Sequence, residues 1–263
     1  MKERVYILAT VRKPELIPAA TLVFKTLRTG FPTAAVTVQC NGGNPESNRV
    51  LAECCRQANA RLETGMALTQ QDRWLARFIE VAHEPFWICD TDMVFFASME
   101  GLNLPRLAGE YQPTFIEEYT RTIHVDRLHT ALLRVDPVAV RDAVRAYYSQ
   151  YPCAPAVEVA RVLVHQTYVP TPDGILFYDT AAGLYHAIGG SRFSNEICDR
   201  FEHLQCATYI DLIGPHLEDA PGLAAMHQRI YADPKAAKGI RSMQQDYYRR
   251  RAPQYPHLHS KSL

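Results

Sequence analysis

The sequence predicts an α/β protein with a mostly parallel central sheet flanked by helices, and three observations carry that expectation. Short apolar stretches alternate with amphipathic ones from the N-terminus onward, the order that right-handed β-α-β crossovers produce. Segment boundaries fall at suitable residues: Asn44-Pro45 before one helix, Gly30 and Gly189-Gly190 after two others. The apolar run Phe86-Trp87-Ile88-Cys89 stops at a pair of acidic residues and apolar character then resumes, as a buried strand does at its carboxyl end.

Taken in order, Val5 to Thr10 reads as a strand. Glu15 to Arg28 follows as a helix with Leu16, Ala20, Val23, Phe24 and Leu27 on one face. Ala34 to Cys40 is the next strand, and Asn44 with Pro45 opens a helix reaching about Ala58. A short strand near Arg61 to Glu63 precedes an amphipathic helix from Gln70 to Ala82, whose apolar spacing runs through Trp74, Phe78 and Val81, or through Leu75 and Ala82. Then come the strand Phe86 to Cys89, the acidic pair, and apolar Met93 to Phe96. In the second half Arg127 to Val135 alternates as a strand, and Asp136 caps a helix from Pro137 to about Tyr148. Asp179 to Ile188 is a further helix, with Asp179 as cap and Gly189-Gly190 as its stop. The apolar piece Ala156 to Val164 has no readable type, and beyond Pro234 the chain turns polar, aromatic and arginine-rich.

At 263 residues, 47% hydrophobic and 21% charged, the chain can bury one large core, and a single domain is expected. Its expected parts are a nucleotide-binding half over 1–96, an acceptor-side region over 97–233 and a tail or lid over 234–263. Lysine plus arginine balances aspartate plus glutamate at 28 each, which argues against a nucleic-acid partner. Seven cysteines without CxxC spacing read as reduced thiols. No apolar run reaches the roughly 18 residues that a membrane span requires, so a cytoplasmic location is expected, at most at the inner face of the membrane. Tyr247, Tyr248 and Arg249 to Arg251 would make any peripheral contact with lipid. The same residues could close over a diphosphate as a lid, and a solvated terminus is the default reading against both roles.

The acidic pair is Asp90-Thr91-Asp92. Side chains two residues apart in extended chain point the same way. Two like charges about 4 Å apart near a protein surface repel by roughly 4 kcal/mol, so keeping both ionised beside apolar neighbours favours a bound cation, Mg²⁺ or Mn²⁺ for oxygen ligands. A bare Asp-x-Asp can also be a solvated turn. Thr10, Val11 and Arg12 after the first strand and Asn41 after the second lie where nucleotide bases and riboses bind in parallel sheets. Glu117, Glu118 and His129 could face a sugar or serve as ordinary surface groups.

From about residue 5 to about residue 210, this order of elements around Asp90-Thr91-Asp92 resembles the GT-A glycosyltransferases. The segment Leu128 to Val135 followed by a helix is similar to the family's next element. The resemblance implies a GT-A-like fold with a smaller acceptor-side region. It also implies a metal-dependent transferase of the hexosyl type, moving sugar from a nucleotide diphosphate donor to a glycan or lipid-linked hydroxyl. UDP is the expected nucleotide on family frequency. By the same resemblance, Asp90 and Asp92 hold Mn²⁺ or Mg²⁺, with Asp90 and Thr91 against the nucleotide and His203 completing the metal shell; His186 is the second choice for that ligand. Asp179, at the start of its helix after Tyr178, is the family's catalytic carboxylate, and would take the proton of the attacking hydroxyl if the reaction inverts. Helix capping by Asp179 and core packing by His203 stand beside these roles.

Two readings of other classes remain. An apolar strand before Asp-x-Asp is also similar to the nucleophile motif of haloacid dehalogenase-like phosphohydrolases, but that motif opens its fold, whereas here two strand-helix units precede it. A catalytically silent nucleotide-sugar-binding protein would keep the same residues.

Overall fold

A computed structural model of the chain describes residues 2–11, 14–111, 114–118, 121–151, 168–171, 174–178, 180–193, 195–204 and 220–240. In chain order the elements begin with β1 (Arg4–Ala9), α1 (Ile17–Thr21) and α2 (Leu27–Gly30), and continue with β2 (Ala35–Asn41), α3 (Pro45–Gln57), β3 (Arg61–Met66) and α4 (Gln71–Val81). β4 (Phe86–Cys89), β5 (Met93–Phe95) and β6 (Leu107–Tyr111) follow, then the pair β7 (Thr114–Glu118) and β8 (Arg121–Val125). After β9 (Leu128–Val135) and α5 (Pro137–Tyr148) come the pair β10 (Tyr168–Thr171) and β11 (Gly174–Tyr178), β12 (Ser191–Arg192) and β13 (Phe201–His203). Further helices cover Ala182–Ile188, Asn195–Cys198 and Ala220–Ala232.

These elements form two compact units. The first comprises Met1–Gln70, Pro85–Asn103 and Ser194–Lys238. In it β4, β1, β2 and β3 lie side by side in that order, all parallel. Val5, Ile7, Ala9 and Val38 are fully buried, and β4 is buried along its whole length, which explains its unbroken apolar sequence. β5 pairs antiparallel with β13, setting His203 opposite Met93. α3 opens as expected: the Asn44 side chain accepts from the Ser47 backbone N–H, and Ser47 Oγ accepts from the Asn44 N–H, both at 2.9 Å.

The single helix expected over 15–28 is corrected. A 3-10 turn at Pro14–Leu16 leads into α1, and a second at Leu22–Lys25 separates α1 from α2. Pro18 sits in the first turn, and Thr21 Oγ1 turns back onto the Ile17 carbonyl at 2.8 Å, competing with regular helix. The break serves tertiary contacts: Thr26 Oγ1 accepts the Phe95 N–H at 2.9 Å, and the Val23 N–H reaches the Thr91 carbonyl at 2.8 Å. Gly30 then meets the Phe95 ring so closely that a Cβ there would lie 2.4 Å from ring carbon.

The second unit comprises Gln71–Glu84, Leu104–Phe193 and Gly239–Leu263. In it β6 runs antiparallel to β9 and parallel to β12, so this part of the β-structure is mixed. Asp136 caps α5 as expected, accepting the Ala139 N–H at 3.2 Å. α4 buries Trp74, Leu75, Ala76 and Ile79, so each of the two expected spacings contributes a buried residue, with Phe78 and Ala82 half-buried; Val81, expected on the apolar face, is corrected, being 61% exposed. The helix expected from Asp179 also starts later. Its first residue is Ala182, and its N-cap is Ala181 in the left-handed region at φ 60°, with no side-chain cap. Asp179 itself, like Arg12 and the tail after 240, lies outside the described residues. Among the described residues no helix is long and apolar enough to cross a membrane.

Candidate metal and nucleotide site

The backbone of the turn Asp90-Thr91-Asp92 is tied at each residue. Each of its three carbonyls accepts a hydrogen bond: that of Asp90 from the Cys89 thiol at 3.3 Å, that of Thr91 from the Val23 N–H at 2.8 Å, and that of Asp92 from the Leu204 N–H at 3.1 Å. The helix break at Leu22–Lys25 and the end of β13 therefore clamp the turn from separate parts of the chain.

The same clamp sets the side chains. β13 ends at His203, one residue before the Leu204 N–H that grips Asp92. This brings His203 Nε2 to 3.5 Å from Asp92 Oδ1, with His203 3% and Asp92 9% exposed. Ligand atoms of Asp90 and His203 lie within 4.8 Å of each other. A gap of 3.5 Å is long for a hydrogen bond. It is close to the roughly 3 Å that separates neighbouring ligands of a six-coordinate ion holding each at about 2.1 Å. Each of the two pairs, Asp92 with His203 and Asp90 with His203, offers a carboxylate oxygen and an imidazole nitrogen, donors that suit a transition ion as well as Mg²⁺. The arrangement thus fits a divalent cation.

The electrostatics of the turn are visible at its buried neighbour. Burial raises the Cys89 thiol well above its ordinary range, and the negative charges of Asp90 and Asp92 raise it further. Cys89 therefore stays a neutral thiol and remains a donor to the Asp90 carbonyl.

At the carboxyl ends of β1 and β2 the remaining expected residues behave differently from one another. Thr10 is half-buried, whereas Val11 is only 3% exposed and packs into the core. Asn41 is also 3% exposed, and its amide is spent within the protein: Nδ2 donates to Thr10 Oγ1 and to the Thr69 carbonyl, both at 3.0 Å, and Oδ1 accepts the Thr69 N–H at 2.8 Å. Thr91 is half-buried. The second choice of ligand, His186, belongs to the other unit, where its Nε2 lies 2.7 Å from the Asp126 carbonyl. His129, also of that unit, uses Nδ1 to accept the Ala131 N–H at 3.0 Å, so its Nε2 bears the proton in the neutral ring. Sequence reasoning missed Val23, Thr26 and Leu204, which act through backbone groups or, for Thr26, a hydroxyl in the turn between two short helices. The signal present in the chain was the crowding of Pro14, Pro18, Thr21, Thr26 and Thr29 into a segment otherwise patterned as helix.

Compared with protein-family models and with curated proteins, the chain matches none. Similar solved structures include WbbM, a bifunctional glycosyltransferase, at 11% identity and a TM-score of 0.46 over 73% of this chain and 38% of that one. The glycosyltransferase GlyE of Streptococcus pneumoniae is similar at 10% identity and a TM-score of 0.42 over 74% of this chain and 46% of its own. The 4-diphosphocytidyl-2C-methyl-D-erythritol synthase of Anaerococcus prevotii is similar at 7% identity and a TM-score of 0.39, over 61% and 80%. This chain thus spans less than half the length of the first two. Its α/β class rests on its own strand pairing, a run of parallel strands connected through helices.

Proposed function

We propose that this protein is a metal-dependent glycosyltransferase that moves a sugar from a nucleotide diphosphate donor, UDP by first choice, to the hydroxyl of a glycan or lipid-linked acceptor. The observation that supports this reading most is that His203 lies near both acids of the turn at the carboxyl end of β4, its Nε2 3.5 Å from Asp92 Oδ1 and a ring nitrogen within 4.8 Å of an Asp90 carboxylate oxygen. In this reading the three residues hold Mn²⁺ or Mg²⁺. The ion supplies positive charge to a diphosphate leaving group, which accumulates negative charge as the glycosidic bond breaks. His203 acts as neutral imidazole, oriented by its burial at the end of β13. Thr91, Thr10, Val11, Arg12 and Asn41 serve the nucleotide, and Asp179 is the general base for an inverting transfer.

Thermal-shift measurements against UDP, GDP, CMP and dTDP, each with and without Mn²⁺, test the reading, because a ligand that binds only the folded state raises the melting temperature. A shift that needs both one nucleotide and Mn²⁺ is expected. Asp92→Asn should abolish the metal-dependent part while leaving the circular dichroism spectrum unchanged. An unaltered shift in that variant removes Asp92 from the metal site.

A further inference from the structure

We propose that Asn41 is a positioning residue for the nucleoside end of the ligand: it sets the Thr10 hydroxyl and the segment 67–70 in one geometry and contacts the ligand through neither of its own polar atoms. The inference rests on the nucleotide-dependent reading above and adds to it a residue that acts at second hand.

The local chain explains why such a strap is needed. β2 and β3 pair in regular parallel register from Thr37 opposite Arg61 to Gln39 opposite Glu63, but the next match is Asn41 opposite Met66, so β3 carries one extra residue at this point. Gly65 takes that residue's backbone into the left-handed region at φ 83°, where side chains are disfavoured. Past this bulge, the Gly42 N–H reaches the Met66 carbonyl at 3.3 Å. The segment that follows is exposed at Ala67, Leu68 and Gln70, and Leu68, at 54%, is among the most exposed large apolar side chains of the described residues. The Asn41 amide carries the pairing on: its carbonyl oxygen and its NH₂ group bond the N–H and the carbonyl of the same residue, Thr69, as a neighbouring strand would.

The other donation fixes the hydroxyl. Because the Asn41 amide donates to Thr10 Oγ1, the hydroxyl proton of Thr10 is left to point elsewhere, from a half-buried position at the carboxyl end of β1. That edge of a parallel sheet is where ligands dock. An oriented hydroxyl donor beside an exposed apolar segment suits a nucleobase, which presents carbonyl acceptors at its rim and an apolar face.

The test uses the full chain, with binding measured by calorimetry at a temperature where each variant is folded by circular dichroism. Two probes are compared in the presence of Mn²⁺: whichever of UDP, GDP, CMP and dTDP gives the metal-dependent shift, and inorganic pyrophosphate. Asn41→Ala should weaken nucleotide binding at least tenfold and leave pyrophosphate binding within twofold. Asn41→Asp keeps the acceptor for the Thr69 N–H but loses both donations, and should weaken the nucleotide similarly; it also serves if the alanine variant fails to fold. Equal weakening of both probes, or nucleotide affinity within twofold of the parent, overturns the positioning role. Pyrophosphate binding by the parent without nucleotide binding overturns it too while sparing the metal site, and binding of neither probe overturns the functional reading with it.

Discussion

At the scale of single residues, the turn Asp90-Thr91-Asp92 illustrates a division between backbone and side chain. Its carbonyls accept hydrogen bonds from Cys89, Val23 and Leu204, which restrains the main chain of the turn. The carboxylates are thereby preorganised, and binding spends little on ordering them. Gly30 shows how tightly the support is packed. A methyl group there would sit 2.4 Å from the Phe95 ring, and Phe95 is 1% exposed and packed edge-to-face against Phe31, so the ring has little room to retreat. Gly30→Ala should therefore destabilise the protein by about 1–3 kcal/mol, the usual cost of forcing extra volume into a packed core. The urea midpoint measures this, and an unchanged midpoint would show that Phe95 repacks freely.

At the scale of elements, the interrupted helix between Pro14 and Gly30 matters more than a regular one would. A continuous helix would spend the Val23 N–H on its own carbonyl four residues back and leave the Thr91 carbonyl without this donor. The interruption exchanges intrahelical bonds for a clamp on the acidic turn and for the bond from the Phe95 N–H to Thr26 Oγ1. Thr26→Val removes the acceptor of a buried backbone donor and should cost about 1–3 kcal/mol. Thr29→Val, on the exposed side of α2, should stay within about 0.5 kcal/mol. Denaturant melts of the two variants measured side by side decide whether the interruption is held by this bond.

At the scale of the whole molecule, buried thiols link stability to alkaline pH. Cys40, Cys55 and Cys89 are buried free thiols, and Cys54 is a half-buried one. Cys55 is pushed up to about 12, first by burial and then by Cys54 and Cys40; Tyr147 is likewise pushed up to about 12 by burial first. A group whose folded pKa is raised keeps its proton in the fold while the unfolded chain has released it. Its stabilising contribution is complete below the unfolded value, near 8.5 for a thiol, and disappears as pH climbs toward the folded value. The urea midpoint should accordingly fall between pH 8.5 and pH 11, and Cys55→Ala should flatten part of that fall. A midpoint independent of pH across this range would mean that the thiols open to solvent without unfolding.

The alternation of strands and helices through β4, the Asn44 and Asp136 caps and the acidic pair at a strand end were legible in the amino-acid sequence, because each depends on residues within a few positions of one another. Periodicity, capping and turn chemistry are local physics. The mixed pairing of β6 with β9, the three-residue strands β5 and β13, and the interruption at Leu22–Lys25 were not legible. Strands that short carry no period, and the bonds that justify them join residues far apart in the chain, Val23 to Thr91 and Asp92 to Leu204. The start of the helix at Ala182 was misjudged for a related reason: Asp179 is a good cap by type, yet the chain reaches the helix through a left-handed alanine that no local preference favours. Sequence alone thus determined which residues could carry charge and where the chain would turn. Only the tertiary structure decided which of them meet, because the distance from imidazole to carboxylate is set by the register of β13 on β5, a long-range pairing whose energy comes from burial and hydrogen bonding that no short window of sequence contains.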